Sequence, residues 1–268
     1  MSLLILAAFG CLTGVTTVLF GFGGGFVVVP LVYHVLIAGH APGQPGYNSA
    51  MQIAVATSTA VMVISASMAT FKQHRAAKLV RGYIWPLAGY IALGSVAGAV
   101  LASAMSSNGV RIAFMVYLGL TIADCLLREG FLQSASQIKR TVRAIPIKGV
   151  TIGTVATLLG VGGSVMTVPL MRRAGLSMAQ SSALANPLSM PVALVGSLMY
   201  AVTGQIEMEG INNGFLGYIY LPAFGLLTVG SIIGVRLTIP FAGRIPDKLH
   251  AHIYVALLIL VLLALVIK

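Results

Sequence analysis

An all-α, polytopic integral membrane protein of two inverted repeats, each a glycine-broken re-entrant hairpin plus three transmembrane helices, is the fold the sequence predicts. Three observations carry that expectation. Of the 268 residues, 58% are hydrophobic and 8% charged, and the mean hydropathy is +0.98, far from the balance of a water-soluble domain. Apolar runs such as Ile84 to Met105 reach the roughly 20 residues that cross about 30 Å of hydrocarbon. The stretch GFGGGFVVVP at Gly21 to Pro30 returns as GVGGSVMTVP at Gly160 to Pro169, at a constant offset of 139. An offset of about half the chain marks two similar halves. Aromatic residues are sparse and the apolar runs lack period-two alternation, which favours helices over an outer-membrane barrel.

Charge and cysteine content exclude other classes. The net charge of +11 does not signal nucleic acid, because the basic residues sit in short loops between apolar runs, the positive-inside pattern. Cys11 and Cys125 fall within apolar segments without metal-ligand neighbours, so they read as packing residues with no disulfide and no metal. MSLLILAAFG has no basic residue ahead of its apolar run, so the first segment is expected to persist and not to be cleaved as a signal peptide.

Taken in order, the first apolar region runs from Leu3 to about Ala38 and is broken at Gly21 to Gly25. The uncharged loop AGHAPGQPGYN leads to Asn48 or Ser49, either of which can cap the next helix. That helix ends near Phe71, before the basic loop KQHRAAKLVR. Further spans cover Ile84 to Met105 and Val110 to Leu127. Residues 1–127 form the first repeat, 128–146 a basic cytoplasmic linker, and 147–268 the second repeat. The second repeat holds a glycine-broken run from Ile147 to Met171 and helices from about Met178 to Ala201, Phe215 to Ile239 and Leu249 to Ile267.

Loop charge relates the halves. Placing the loops at 72–81, 128–148, 172–173 and 236–248 in the cytoplasm gathers fourteen of the sixteen Lys and Arg residues there. The loop after the glycine-broken run is then outside in the first half and inside in the second, so the halves are inverted. Each glycine element must begin and end on one side. The second copy has 25 residues, which at about 1.5 Å per residue is too short for two crossings but long enough for two half-length helices. A re-entrant hairpin with glycines at its tip satisfies both constraints, with Pro30 and Pro169 in the first turn of the returning arm. The longer first copy also accommodates a full span plus a half.

The two tips, Gly23, Gly24 and Gly25 with Gly162, Gly163 and Ser164, are the first candidates for function. Consecutive glycines allow a tight turn with free amides, and a helix starting there directs its positive dipole end at an anion. Inverted-repeat transporters use broken helices in this way. The competing reading is close helix packing, which suffices for Gly94 to Gly98 and Gly230 to Gly234. A dinucleotide-binding reading fails because Phe26 stands where the third glycine belongs. Thr57 and Ser58 lie about nine residues into the following helix of the first half, and Asn186, followed by Ser189, about eight into that of the second, both groups roughly 12 to 14 Å deep and near the midplane. Polar groups at that depth need partners or a wet cavity; for Thr57 a bond to its own helix is an equal alternative, while Pro187 after Asn186 suggests a broken helix. Asp124 reads as an end pair with Arg128. His34, His74 and Arg236 are secondary candidates, with packing, a loop position and snorkelling as their structural alternatives. No acid–base, nucleophile or metal constellation suggests an enzyme.

With these residues laid out, the sequence resembles the sulfite exporter TauE/SafE family, also called the 4-toluene sulfonate uptake permease family. The resemblance rests on GFGGGFVVVPL and GVGGSVMTVPL, the Ala-Thr-Ser near Thr57, His74 and the GSVAGAVLA pattern from Gly94. The second half departs from it, with Tyr200 or Thr203 where a counterpart of His74 would fall. The resemblance implies transport of sulfite or organosulfonates such as sulfoacetate across a bacterial cytoplasmic (inner) membrane. The expectation is therefore a secondary transporter working by alternating access, with an anion channel or a non-transporting membrane subunit as alternatives. Expected partners are a small anionic substrate, the lipid bilayer and a second copy in a homodimer, with no nucleic acid and no cofactor.

Overall fold

A computed structural model describes residues 3–75, 84–128, 131–132, 146–207 and 214–267. Most of the expected basic linker, the basic loop after Arg75 and residues 208–213 lie outside them. The first half contains α1 (Leu3–Phe20), α2 (Gly25–Gly39), a short α3 (Pro45–Asn48), α4 (Ala50–Arg75), α5 (Leu87–Ala104) and α6 (Ser107–Leu127). The second contains α7 (Pro146–Leu159), α8 (Ser164–Arg173), α9 (Met178–Glu207), the two-residue strands β1 (Phe215–Leu216) and β2 (Ile219–Tyr220), α10 (Leu221–Thr238) and α11 (Asp247–Val266). Six of these, α4, α5, α6, α9, α10 and α11, are long and apolar enough to cross a membrane. The protein is thus an all-α polytopic membrane protein. Exposed leucines such as Leu93, Leu120, Leu198, Leu237 and Leu260 face outward, as a lipid-facing surface requires.

Helix ends follow from local chemistry. Ser106 caps α6 by accepting from the Gly109 amide at 3.1 Å. At the start of α9, the Ser177 hydroxyl accepts from the Gln180 amide and Gln180 Oε1 accepts from the Ser177 amide, both at 3.2 Å, a reciprocal capping box. Caps also come from distant helices. Ser107 Oγ on α6 accepts from Met51 N at 2.9 Å, and Asp247 Oδ1 on α11 accepts from Met178 N at 2.7 Å. The cap of α4 is therefore Ser107 and not the expected Asn48 or Ser49, which belong to α3 and its end.

Three further expectations are corrected. Pro30 and Pro169 sit inside α2 and α8, in the second turn and not the first. Pro187 and Pro191 do not break α9, which runs unbroken for 30 residues. Residues 215–220, expected as helix, form a β-hairpin held against α9 by Tyr218 N donating to Tyr200 O at 3.3 Å.

Interhelix contacts pair the two halves. A Cβ on Gly10 would meet Leu227 O at 2.7 Å and one on Gly14 would meet Ser231 O at 2.2 Å, so α1 and α10 run side by side in the same direction. Likewise a Cβ on Gly94 would meet Val150 O at 2.0 Å and one on Gly98 would meet Thr154 O at 2.3 Å, joining α5 to α7. These small-residue faces let backbones touch, the packing role expected for Gly94, Gly98, Gly230 and Gly234. In the centre, α4 and α9 cross in opposite directions: Thr59 lies against Gly196, and Gln73 meets Asn186. Thus the first helix of each half lies against the fourth main helix of the other, and the two third helices face each other. Cys11 and Cys125 are free thiols within the bundle.

Candidate functional site

Each glycine element makes a sharp turn between two helices. Gly21 and Gly160, the first residues after α1 and α7, have φ of +72° and +68°, values in the left-handed region that glycine adopts most readily among residue types. The amide of Gly21 bonds Thr17 O at 3.0 Å, and Val161 N reaches back to Ala156 O at 3.2 Å. These bonds close the outgoing helices, and the returning helices α2 and α8 start immediately at Gly25 and Ser164.

The two tips touch. A Cβ on Gly25 would lie 2.0 Å from Gly160 O, so only glycine permits this approach. Met62 of α4 and Ser189 of α9 complete the centre, since each lies beside both Gly23 and Gly162. All the tip residues from Gly21 to Gly25 and from Gly160 to Ser164 are buried. The helices that begin here have glycine N-caps, Gly24 and Gly163, which have no side chain to accept a hydrogen bond from the first turn. Among the described residues, no backbone acceptor serves the amides of Gly23, Gly24, Gly162 or Gly163. Two buried, uncapped helix N-termini therefore open onto one centre, where each unpaired amide costs about 1–3 kcal/mol unless a ligand accepts from it.

The tip carbonyls, by contrast, are satisfied by side chains. Ser58 Oγ donates to Gly160 O at 2.6 Å, and Ser65 Oγ donates to Gly23 O at 2.7 Å. Asn186 donates to Thr17 O at 3.2 Å and to Gln73 Oε1 at 3.0 Å, leaving its own buried Oδ1 without a partner among the described residues. Gln73 donates to Val18 O at 3.4 Å and Tyr200 hydroxyl to Thr157 O at 2.9 Å. Val18 and Thr157 are separated by the repeat offset of 139, so different residue types serve equivalent carbonyls in the two halves.

The sequence-based candidates now sort by position. Gly23, Gly24, Gly25, Gly162, Gly163, Ser164, Ser58, Asn186 and Ser189 converge on the tips, with Ser164 Oγ bonding Val161 O at 3.4 Å and Ser189 Oγ bonding Ala185 O at 3.0 Å. Thr57 does not join them, because its Oγ1 accepts from Tyr220 N at 3.0 Å. The expected shared depth also needs correction. α4 has 26 residues and α9 has 30, so Ser58 and Asn186 lie short of their middles, and Met62 and Ser189 mark the centre. Ser58 consequently reaches the end of α7 and Asn186 the end of α1, and the two tips overlap past each other. His34 Nε2 donates to Ala264 O at 2.7 Å, joining α2 to α11 away from the tips. Arg236 is exposed on the last turn of α10, a snorkelling position outside the centre. The side chain of His74 lies outside the described residues.

Ionic contacts line the sides of the bundle. Asp124 pairs with Arg128 at 3.4 Å, as expected, and also binds Arg173 of α8. A groove of about 490 Å³ opens beside this pair, with Thr121, Lys148, Ile152, Val165 and Arg173 among its lining. Buried Arg172 donates to Phe131 O and Leu176 O and pairs with Asp247 at 2.6 Å, tying α8 to α11. His250 Nε2 donates to Leu19 O at 2.7 Å, and its ring packs edge-on against Phe20 at 5.0 Å. Sequence reasoning passed over Met62, Ser65, Gln73, Arg172, Asp247 and His250. A matched reading of the halves exposes some of these positions, since Met51 and Met178 lie the same distance apart as Met62 and Ser189.

Six apolar spans around two buried broken-helix elements define a polytopic membrane transporter. The chain belongs to the sulfite exporter TauE/SafE family, whose profile matches residues 6–265. It is similar to a "Probable membrane transporter protein" of Haemophilus influenzae, 25% identical over 240 residues that cover 88% of each chain. It is also similar to a "Probable membrane transporter protein" of Methanocaldococcus jannaschii, 23% identical over 249 residues covering 91% of this chain and 88% of the relative. No solved structure matches the chain.

Proposed function

We propose that the chain is a secondary transporter that moves small sulfur-containing or organic anions, such as sulfite and sulfoacetate, across a bacterial cytoplasmic membrane by alternating access. The observation that carries this reading is the convergence of two uncapped, buried helix N-termini, at Gly24 and Gly163, on one centre. Free amides and the positive ends of two helix dipoles suit a negative ligand and no cation. The family and the transporter names of the relatives support the substrate class and the activity.

The mechanism follows from the pairing of the halves. The contact of α1 with α10 and that of α5 with α7 exchange under one operation, and α4 opposes α9. In this reading the halves are inverted repeats, and rocking one against the other exposes the tips alternately to each side. Ser58 and Ser65, which join each tip to α4, are the contacts that such a motion must make and release.

Counterflow in proteoliposomes tests the proposal. Sulfite or sulfoacetate uptake should saturate and be accelerated by unlabelled anion on the far side. Flux that rises linearly without counterflow would make the protein a channel, and no flux of any tested anion would make it a non-transporting subunit.

A further inference from the structure

The two halves differ at one interface. Where α8 meets α11, buried Arg172 is neutralised by Asp247, whose second oxygen caps α9 at Met178. Where α2 meets α6, the equivalent cap on α4 comes from Ser107, a hydroxyl with no charge to offer. The buried cation at this interface is Arg111, one turn after Ser107 on the same face of α6 and only 8% exposed. Its NH1 donates to the Tyr33 hydroxyl at 3.0 Å, and its guanidinium carbon lies 5.7 Å from the Tyr33 ring centre. Its Nε is buried with no acceptor among the described residues. The carboxylates whose side chains are described, Asp124 and Asp247, are engaged elsewhere, Asp124 with Arg128 and Arg173, and Asp247 with Arg172.

We infer that Arg111 and Ser107 form an oxyanion-recognition point at the N-terminus of α6, for a sulfite, sulfonate or carboxylate group. A guanidinium stays charged at every physiological pH, so its burial calls for a counter-charge. With NH1 held by Tyr33, the Nε edge remains to grip two oxygens of one oxyanion, the geometry in which arginine binds most strongly. The start of a 21-residue helix adds the positive end of its dipole at the same place. Loop charge puts this point on the side opposite the basic loops, because Arg111 and Lys268 are the two cations outside the fourteen gathered there. The inference rests on the reading of the chain as an anion carrier, and adds a second contact point away from the glycine tips.

Titration calorimetry with sulfite and with sulfoacetate, on the full-length protein in detergent, tests it. Arg111→Gln should weaken binding at least about tenfold, the loss expected for a charge-assisted bidentate contact, and Arg111→Lys should fall between that variant and wild type. Ser107→Asp supplies the carboxylate that Asp247 provides to Arg172 in the other half, so it should keep the α4 cap and the melting temperature while weakening oxyanion binding to a similar degree. This variant decides the matter if Arg111→Gln does not fold. Wild-type affinity in Ser107→Asp, or in a folded Arg111→Gln, overturns the inference; if Gly163→Leu then still loses binding, the carrier reading survives alone. Absence of oxyanion binding in the wild type overturns both.

Discussion

At the scale of single residues, the centre of the molecule is held by hydroxyls and amides that satisfy the carbonyls of the glycine turns. Ser58→Ala deletes a 2.6 Å bond to Gly160 O and leaves that buried carbonyl unpaired, so it should cost about 1–3 kcal/mol, read as a lower unfolding midpoint in mixed micelles. Thr203→Ala removes only a bond to its own helix, to Met199 O, and should leave the midpoint nearly unchanged. The glycines, Ser58, Asn186 and Ser189 were legible in the sequence because polar or flexible residues are conspicuous inside apolar runs. Met62 was not, since a methionine among apolar neighbours carries no signal until both tips are seen to rest on it. Thr57 misled for the complementary reason: one helix carries Thr57, Ser58 and Thr59 on different faces, and only Ser58 of the first two faces the tips.

At the scale of elements, glycine faces decide which helices touch. Gly14→Ala and Gly153→Ala place a methyl 2.2 Å from Ser231 O and 2.0 Å from Ile91 O respectively, so each should destabilise by about 1–3 kcal/mol through overpacking. Gly119→Ala on α6 meets nothing within 4 Å and should be neutral or slightly stabilising, since alanine is the better helix former. The same unfolding midpoints check all three. The number of spans and the position of both turns were readable from apolar run length and glycine position. Boundaries were less so: α9 extends through two prolines to Glu207 because its packing against α4, α5 and α8 outweighs the loss of individual backbone bonds. The caps Ser107 and Asp247 were hidden because they come from helices remote in sequence.

At the scale of the whole molecule, the paired contacts of the halves support an inverted arrangement with its centre between the tips. On a background with Cys11 and Cys125 replaced by alanine, Ala41→Cys and Gln180→Cys, both at exposed positions, should be labelled by an impermeant thiol reagent from opposite sides of the membrane; labelling from one side would remove the inversion. The glycine repeat and loop charges are what lead to this expectation from the sequence. The overlap of the tips was not, because it depends on α4 and α9 being longer than their apolar cores. The most direct test of the proposed anion site between the tips is equilibrium binding of sulfite to wild type, Gly163→Leu and Gly119→Ala. Gly163 has an ordinary helical φ of −71°, so a leucine there enters the first turn of α8, against Ile152, Thr167 and the Leu188 carbonyl, without left-handed strain. Binding weakened at least about tenfold in Gly163→Leu, with Gly119→Ala unchanged and both variants folded, is the predicted result. Wild-type affinity in a folded Gly163→Leu would contradict it.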